Sequence, residues 1–244
     1  MRTETGITIR RENYQPYPFL IPTIELEFDL ASERTQVRSR LVVERRQDVA
    51  VSTDLILDGE DLTLVSLELN GALLSPGQYT LTQATLTLHN VPDRAEIVIV
   101  STCTPAQNTS LSGLYVSGKH LFTQCEPQGF RKITWFADRP DVMSIYRVTL
   151  RATRSDFPLL LSNGNLVAQR ELEAGRHEAQ WHDPFAKPSY LFAVVAGDFV
   201  CRDHHTLTAS GREVLLQVYS DVGTEDQTEW AMESLERALR WDET

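Results

Sequence analysis

A chain of 244 residues with 41% hydrophobic and 23% charged side chains has enough apolar material for a packed core and suits one large domain, or one domain and part of a second. Its 23 basic and 34 acidic side chains leave a net charge of −11, which argues against a nucleic-acid or anionic-membrane surface, because both require clustered Lys and Arg. The first twenty residues mix Arg and Glu without an apolar segment, so no secretory signal is read there, and the longest apolar run, Tyr190 to Gly197, is far too short for a membrane span.

Taken in order, the first hundred residues repeat apolar side chains at every second position. Ile24, Leu26, Phe28 and Leu30 define one strand face, and Val37, Leu41 and Val43 another. Further strands are expected over residues 55–57, 62–69, 79–82, 85–89 and 97–102, separated by the turns Asp58-Gly59, Asn70-Gly71, Ser75-Pro76-Gly77 and Val91-Pro92-Asp93. Asn70-Gly71 fits a type I′ hairpin, since both residues tolerate positive φ. Strands resume over 144–154, 159–162, 166–172, 177–181 and 191–195, with turns at Asn163-Gly164-Asn165 and Ala174-Gly175. The pattern predicts a mainly β, antiparallel sandwich or curved sheet. Residues 205–220 read as a hairpin, and Thr224 with Gln227 fits a capping box that opens a helix running to Thr244. Ala231, Leu235, Ala238 and Leu239 would form its apolar stripe. A helix without a stop signal after a β domain suggests a chain cut inside its next domain.

Few residues offer chemistry. His177-Glu178-Ala179-Gln180-Trp181 begins like H-E-x-x-H, but Trp181 takes the place of the second His, and His182 lies one residue late, about 100° off the shared helical face. The segment is read as a strand with an exposed histidine. His204 and His205 are read as a loop pair. Three scattered cysteines, Cys103, Cys125 and Cys201, supply neither a disulfide framework nor a Cys-rich zinc site, and a reducing cytoplasm is the expected location. Cys125 has the carboxylate of Glu126 beside it, which disfavours a thiolate, so it is read as a packed small hydrophobe. The stretch FTQCEPQGFRKITWFADRPDV, residues 122–142, crowds charged and aromatic groups between turns at Pro127-Gln128-Gly129 and Asp138-Arg139-Pro140-Asp141. Thr123 to Glu126 is expected to be the exposed end of an extended segment, with Phe130, Trp135 and Phe136 packed beneath it and Arg139 and Asp141 tying the second turn to its neighbours. A carboxylate and an amide at a strand end can bind a cation or an ammonium group, and they can equally be a solvated surface pair.

Three blocks in order, GLYVSGKHLFTQCEPQGFRKITWFADRPDV, PLLLSNGNLVAQRELEAGRH and WHDPFAKPSYLFAVVAGDF, resemble the N-terminal domain of zinc metallopeptidases of the M1 family, of the bacterial aminopeptidase N type. The likeness runs from about Tyr14 to the end of the chain. It implies a saddle-shaped, antiparallel, sandwich-like β domain over residues 1–198, then the first hairpin and helix of a truncated catalytic domain over 199–244. It also implies that Gln124 and Glu126, at the positions of the family's Gln-x-Glu triplet, hold the α-amino group of a peptide from which the complete enzyme removes the N-terminal residue. The family's H-E-x-x-H helix and Gly-Ala-Met-Glu-Asn loop do not occur; Ala231-Met232-Glu233 imitates the loop without its Gly and Asn. By this resemblance zinc belongs to the complete enzyme, while this segment carries no catalytic residue and no metal and is inactive alone. Its partners would be peptide substrates, through the free N-terminus, and the missing catalytic domain. The residues also allow a free-standing β-sandwich binding or scaffold module without catalysis.

Overall fold

Period-two alternation builds the first strand pair of the computed structural model, which describes residues 10–244. Strands β1 (Phe19–Asp29) and β2 (Thr35–Arg45) run antiparallel, with Ile24 opposite Leu41 and Phe28 opposite Val37. Ile24, Leu26, Phe28, Val37, Leu41 and Val43 all turn inward and are buried, while the intervening charged residues face out and pair, as Arg40 does with Glu25 and Glu96. The chain continues through β3 (Leu55–Asp58), β4 (Thr63–Leu69), β5 (Ala72–Leu73), β6 (Tyr79–Leu81), β7 (Thr85–Leu88), β8 (Arg94–Cys103), β9 (Gly113–Ser117) and β10 (His120–Gln124). After an irregular segment come β11 (Met143–Thr153), β12 (Leu159–Ser162), β13 (Asn165–Glu171), β14 (Arg176–Pro188), β15 (Val194–Gly197), β16 (Phe199–Leu207), β17 (Glu213–Asp221) and helix α1 (Glu229–Asp242). Asn70 and Gly71 join β4 to β5 with φ of 50° and 78°, the backbone that a type I′ turn requires.

The largest sheet has eight strands in the order β13-β14-β11-β1-β2-β8-β4-β5; β12-β15-β10-β9 and β3-β7-β6 form two smaller sheets, and β16-β17 stands as a hairpin of its own. One contiguous core joins the inward faces of the three larger sheets, with Phe19, Phe28, Phe130, Phe136 and Tyr146 among its largest buried side chains. The fold is mainly β and sandwich-like, as expected. It is not wholly antiparallel: β1 and β11 run parallel, with Ile24 opposite Tyr146 and Phe28 opposite Leu150. Among the described residues, no helix is long and apolar enough to cross a membrane.

Four local expectations need correction. His177 is buried rather than exposed, because β14 lies inside the sheet between β13 and β11 and the imidazole Nε2 sits 2.7 Å from the Phe157 carbonyl oxygen. His204 and His205 lie within β16, not in a loop, and pair with Glu236 of α1 and Glu213 of β17 respectively. The strand expected over 191–195 begins late, since Ser189–Leu191 forms a 3₁₀ turn before β15. The capping box does not form. Arg202 of β16 donates to Thr228 Oγ1 at 2.7 Å and to the Glu225 carbonyl at 2.8 Å, so Glu225–Gln227 is a 3₁₀ turn and the helix starts at Glu229. Thr224 Oγ1 donates to the Asp221 carbonyl instead of capping an amide. The helix consequently turns Met232 and half-buried Leu239 towards the hairpin and leaves Ala231, Leu235 and Ala238 exposed.

Beside His177, Glu178 is almost fully buried and accepts from Arg151 Nε at 2.6 Å, Arg170 Nε at 2.8 Å and Gln180 Nε2 at 2.7 Å. Burial alone would raise its pKa, yet these hydrogen bonds outweigh it and the carboxyl lies below its ordinary value. The H-E pair that mimics a metal motif is thus a structural brace across β11, β14 and β13.

Candidate functional site

β10 is an inner strand, flanked by β9 and β15, so its C-terminal end is a fixed platform. The strand ends at Gln124, and the chain enters a turn at Glu126. Cys125 turns into the core, while Gln124 and Glu126 on either side of it stand exposed. The structure therefore brings the two residues singled out in the sequence onto one surface. Gln124 Nε2 donates to the Glu126 backbone carbonyl at 3.2 Å, a tie that leaves the amide oxygen as a free acceptor. Among the described residues the Glu126 carboxylate has neither an ion-pair partner nor a hydrogen-bond donor. Burial pushes the Cys125 thiol far above its ordinary pKa, so it packs and does not act as a nucleophile.

Beneath this pair the loop is built rigidly. Gly129 N–H donates to the Cys125 carbonyl at 2.7 Å and closes the turn. Its φ of −85° suits any residue; what demands glycine is contact, since a Cβ would lie 2.1 Å from the Gln124 carbonyl oxygen and 2.9 Å from Gly113 N. Both obstacles are backbone and cannot rotate away. Gly129→Ala is expected to cost about 1–3 kcal/mol of stability, as overpacking does. Denaturant unfolding checks this, and an unshifted midpoint would mean that the turn has room to spare.

Phe130 opens the next 3₁₀ turn, Phe130–Lys132, and meets Phe136, Tyr146 and Phe192 edge-on at centroid distances of 5.1–6.2 Å. Trp135 is buried against Gly59, where a Cβ would fall 2.2 Å from the indole nitrogen. Gly59, read in the sequence as a turn residue, is glycine for this close approach. Phe136 bridges back to Asp58 of β3, and Asp138 N–H donates to Asp58 Oδ2 at 3.2 Å. Asp138 itself, 2% exposed, accepts from Arg131 N, Arg131 Nε and Ser189 Oγ. Burial raises the Asp58 carboxyl above its ordinary pKa against the opposing pull of Arg131. At the second turn Arg139 forks onto Asp141 at 2.8 and 2.9 Å, and Tyr14 Oη and Tyr17 N–H donate to the same carboxylate. The Arg139 hydrogen bonds hold Asp141 well below the usual carboxylate range. Sequence reasoning found the aromatics, Arg139 and Asp141. It missed Asp58, Asp138 and Ser189, whose association depends on contacts distant in sequence.

Among the described residues, no group of three or more His, Cys, Asp or Glu side chains is arranged to hold a metal ion. Four of the six histidines each face a single carboxylate instead: His89 with Asp54 at 3.0 Å, His120 with Asp221 at 3.2 Å, His204 with Glu236 at 3.7 Å and His205 with Glu213 at 3.1 Å.

A family model for the peptidase M1 N-terminal domain matches residues 22–191, well over half of the chain and including Gln124 and Glu126. The chain belongs to the M1 peptidase family. It is 46% identical to aminopeptidase N of Caulobacter vibrioides over 100% of its own length and 28% of that protein, and 46% identical to aminopeptidase N of Escherichia coli over 96% of its length and 26% of that protein. The chain thus spans little more than a quarter of these M1 relatives. Among solved structures, Legionella pneumophila aminopeptidase A, in complex with aspartic acid, superposes with a TM-score of 0.90 at 35% identity, covering 95% of this chain and 27% of that one. An M1 zinc metallopeptidase from Deinococcus radiodurans, at 14% identity and a TM-score of 0.71, shares the fold. The M1 match ends before β16, so the hairpin and α1 lie outside the matched family domain but inside the aligned span of the aminopeptidase N relatives.

Proposed function

We propose that this chain is the substrate-anchoring portion of a zinc aminopeptidase, with Gln124 and Glu126 holding the α-amino group of a peptide. The observation that carries this is the exposed carboxylate of Glu126, unpaired among the described residues and set beside a free amide oxygen where β10 ends and the chain turns. An α-ammonium has a pKa of about 8 and is mostly charged at neutral pH. Glu126 would accept from it in a charge-assisted hydrogen bond, and the Gln124 amide oxygen would accept a second N–H. Holding the amine fixes how far the scissile carbonyl can reach, so that only the first residue is released in each turnover. The Legionella relative, whose structure holds a free amino acid, supports this reading.

The donor groups of the described residues do not fit a zinc site, so no step here runs through the metal; its ligands and the activated water belong to the remainder of the enzyme. Residues up to about 198 form the anchoring domain, and residues 199–244 begin the catalytic one. A role in cytoplasmic peptide breakdown agrees with the three free thiols and the acidic surface, which suits neither nucleic acid nor anionic membrane. The test compares an amino-acid anilide with its N-acetylated counterpart in the complete enzyme. Cleavage of the free amine should be faster by about 100-fold or more, as for a charged contact left unmade; equal rates would remove the anchor. The 244-residue chain alone should turn over neither.

A further inference from the structure

The strand that carries Gln124 at one end carries His120 at the other, four residues or about 13 Å away at the usual strand rise. His120 is nearly buried and stacks on Phe199 with ring centroids 4.3 Å apart, and Phe122 packs edge-on against both rings. The Asp198 N–H donates to His120 Nδ1 at 3.3 Å, which leaves the ring proton on Nε2, where Asp221 Oδ1 accepts at 3.2 Å. Phe199 opens β16 and Asp221 closes β17, and the two residues are cross-strand partners. One imidazole therefore grips both feet of the hairpin. Gly197 makes room for it, since a Cβ there would lie 2.2 Å from His120 Nδ1. Among the described residues β16 and β17 pair with no other strand, so no ladder hydrogen bond among those residues sets the direction in which the hairpin leaves the sandwich.

We propose that His120 is a positioning residue: it locks the hairpin root to β10 and so fixes the separation between the amine anchored at Gln124 and Glu126 and the catalytic groups to which the hairpin leads. This rests on the anchoring function proposed above. Loosening the root would leave the amine bound but the scissile carbonyl misplaced, so kcat should suffer and KM should not.

The experiment uses the complete enzyme with His120→Ala, Asp221→Ala, the double variant and His120→Gln, which keeps a donor for Asp221. In His120→Ala the amides of residues 198–202 and 218–221 should exchange with solvent about tenfold faster or more, while residues 122–126 keep their protection. Turnover of a free-amine anilide should fall about tenfold in kcat at nearly unchanged KM. Asp221→Ala should add nothing on the His120→Ala background, and His120→Gln should recover most of the loss. Unchanged exchange at the hairpin root, additive effects, or a His120→Gln enzyme as impaired as the alanine variant would each overturn the proposal. If Glu126→Gln keeps full preference for the free amine while His120→Ala loosens the root, the lock stands and the anchoring function falls.

Discussion

Trp135→Ala is expected to destabilise the chain by about 3–5 kcal/mol, the range for removing a large aromatic from a core. The indole is 3% exposed, packs against Gly59, and sits one residue before the Phe136 bridge to Asp58. Its removal would open a cavity at the point where β3 and the loop carrying Glu126 touch. One feature pulls the other way: the indole N–H has no hydrogen-bond partner among the described residues, and an orphaned buried donor costs about 1–3 kcal/mol. The loss should therefore fall near the lower bound, roughly 3 kcal/mol, which lowers the midpoint of a chain this size by about 6–12 °C. Trp135→Phe should cost clearly less, because it keeps much of the ring and discards the orphan donor. Thermal unfolding decides the matter; a shift for Trp135→Ala of less than about 2 °C would mean that the ring does not support the loop.

What was legible in the sequence was local. Ile24, Leu26 and Phe28 declare their strand by alternation, and Asn70-Gly71 declares its turn by the φ values it permits. The parallel pairing of β1 with β11 was invisible, because partners so distant in sequence leave no mark on either segment. His177 was misjudged for the same reason: whether a polar side chain is exposed depends on the strand beside it and on partners such as the Phe157 carbonyl. The helix start failed because Arg202, on a different element, claims the Thr228 hydroxyl and the Glu225 carbonyl. Three glycines carried a signal that went unread. Gly59, Gly129 and Gly197 all lack positive φ, and each marks a place where another group presses on the backbone: Trp135, the Gln124 carbonyl and His120. The site itself was half legible. Chemistry alone allowed an ammonium partner for Gln124 and Glu126, and only the resemblance to the M1 family gave that pairing a purpose.

In the complete enzyme, Glu126→Ala is expected to lower kcat/KM by about 2–4 kcal/mol, roughly 30- to 1,000-fold, while leaving the fold intact. The magnitude separates two situations. An ammonium–carboxylate pair left open to solvent contributes at most about 1 kcal/mol, because water screens it and both groups stay hydrated without each other. The larger loss follows only if the rest of the enzyme closes over the amine, so that alanine strands a desolvated ammonium without a counter-charge. Stability should move by less than about 0.5 kcal/mol, since Glu126 is exposed and no described side chain depends on its carboxylate. Gln124→Ala should cost less, about 1 kcal/mol, because it removes one neutral acceptor and the amide tie to the Glu126 carbonyl. Steady-state kinetics on amino-acid anilides, with unfolding measured on the same preparations, give both numbers. A Glu126→Ala enzyme with near-normal kcat/KM would end the anchoring role, and one that loses activity and stability together would make Glu126 part of the scaffold.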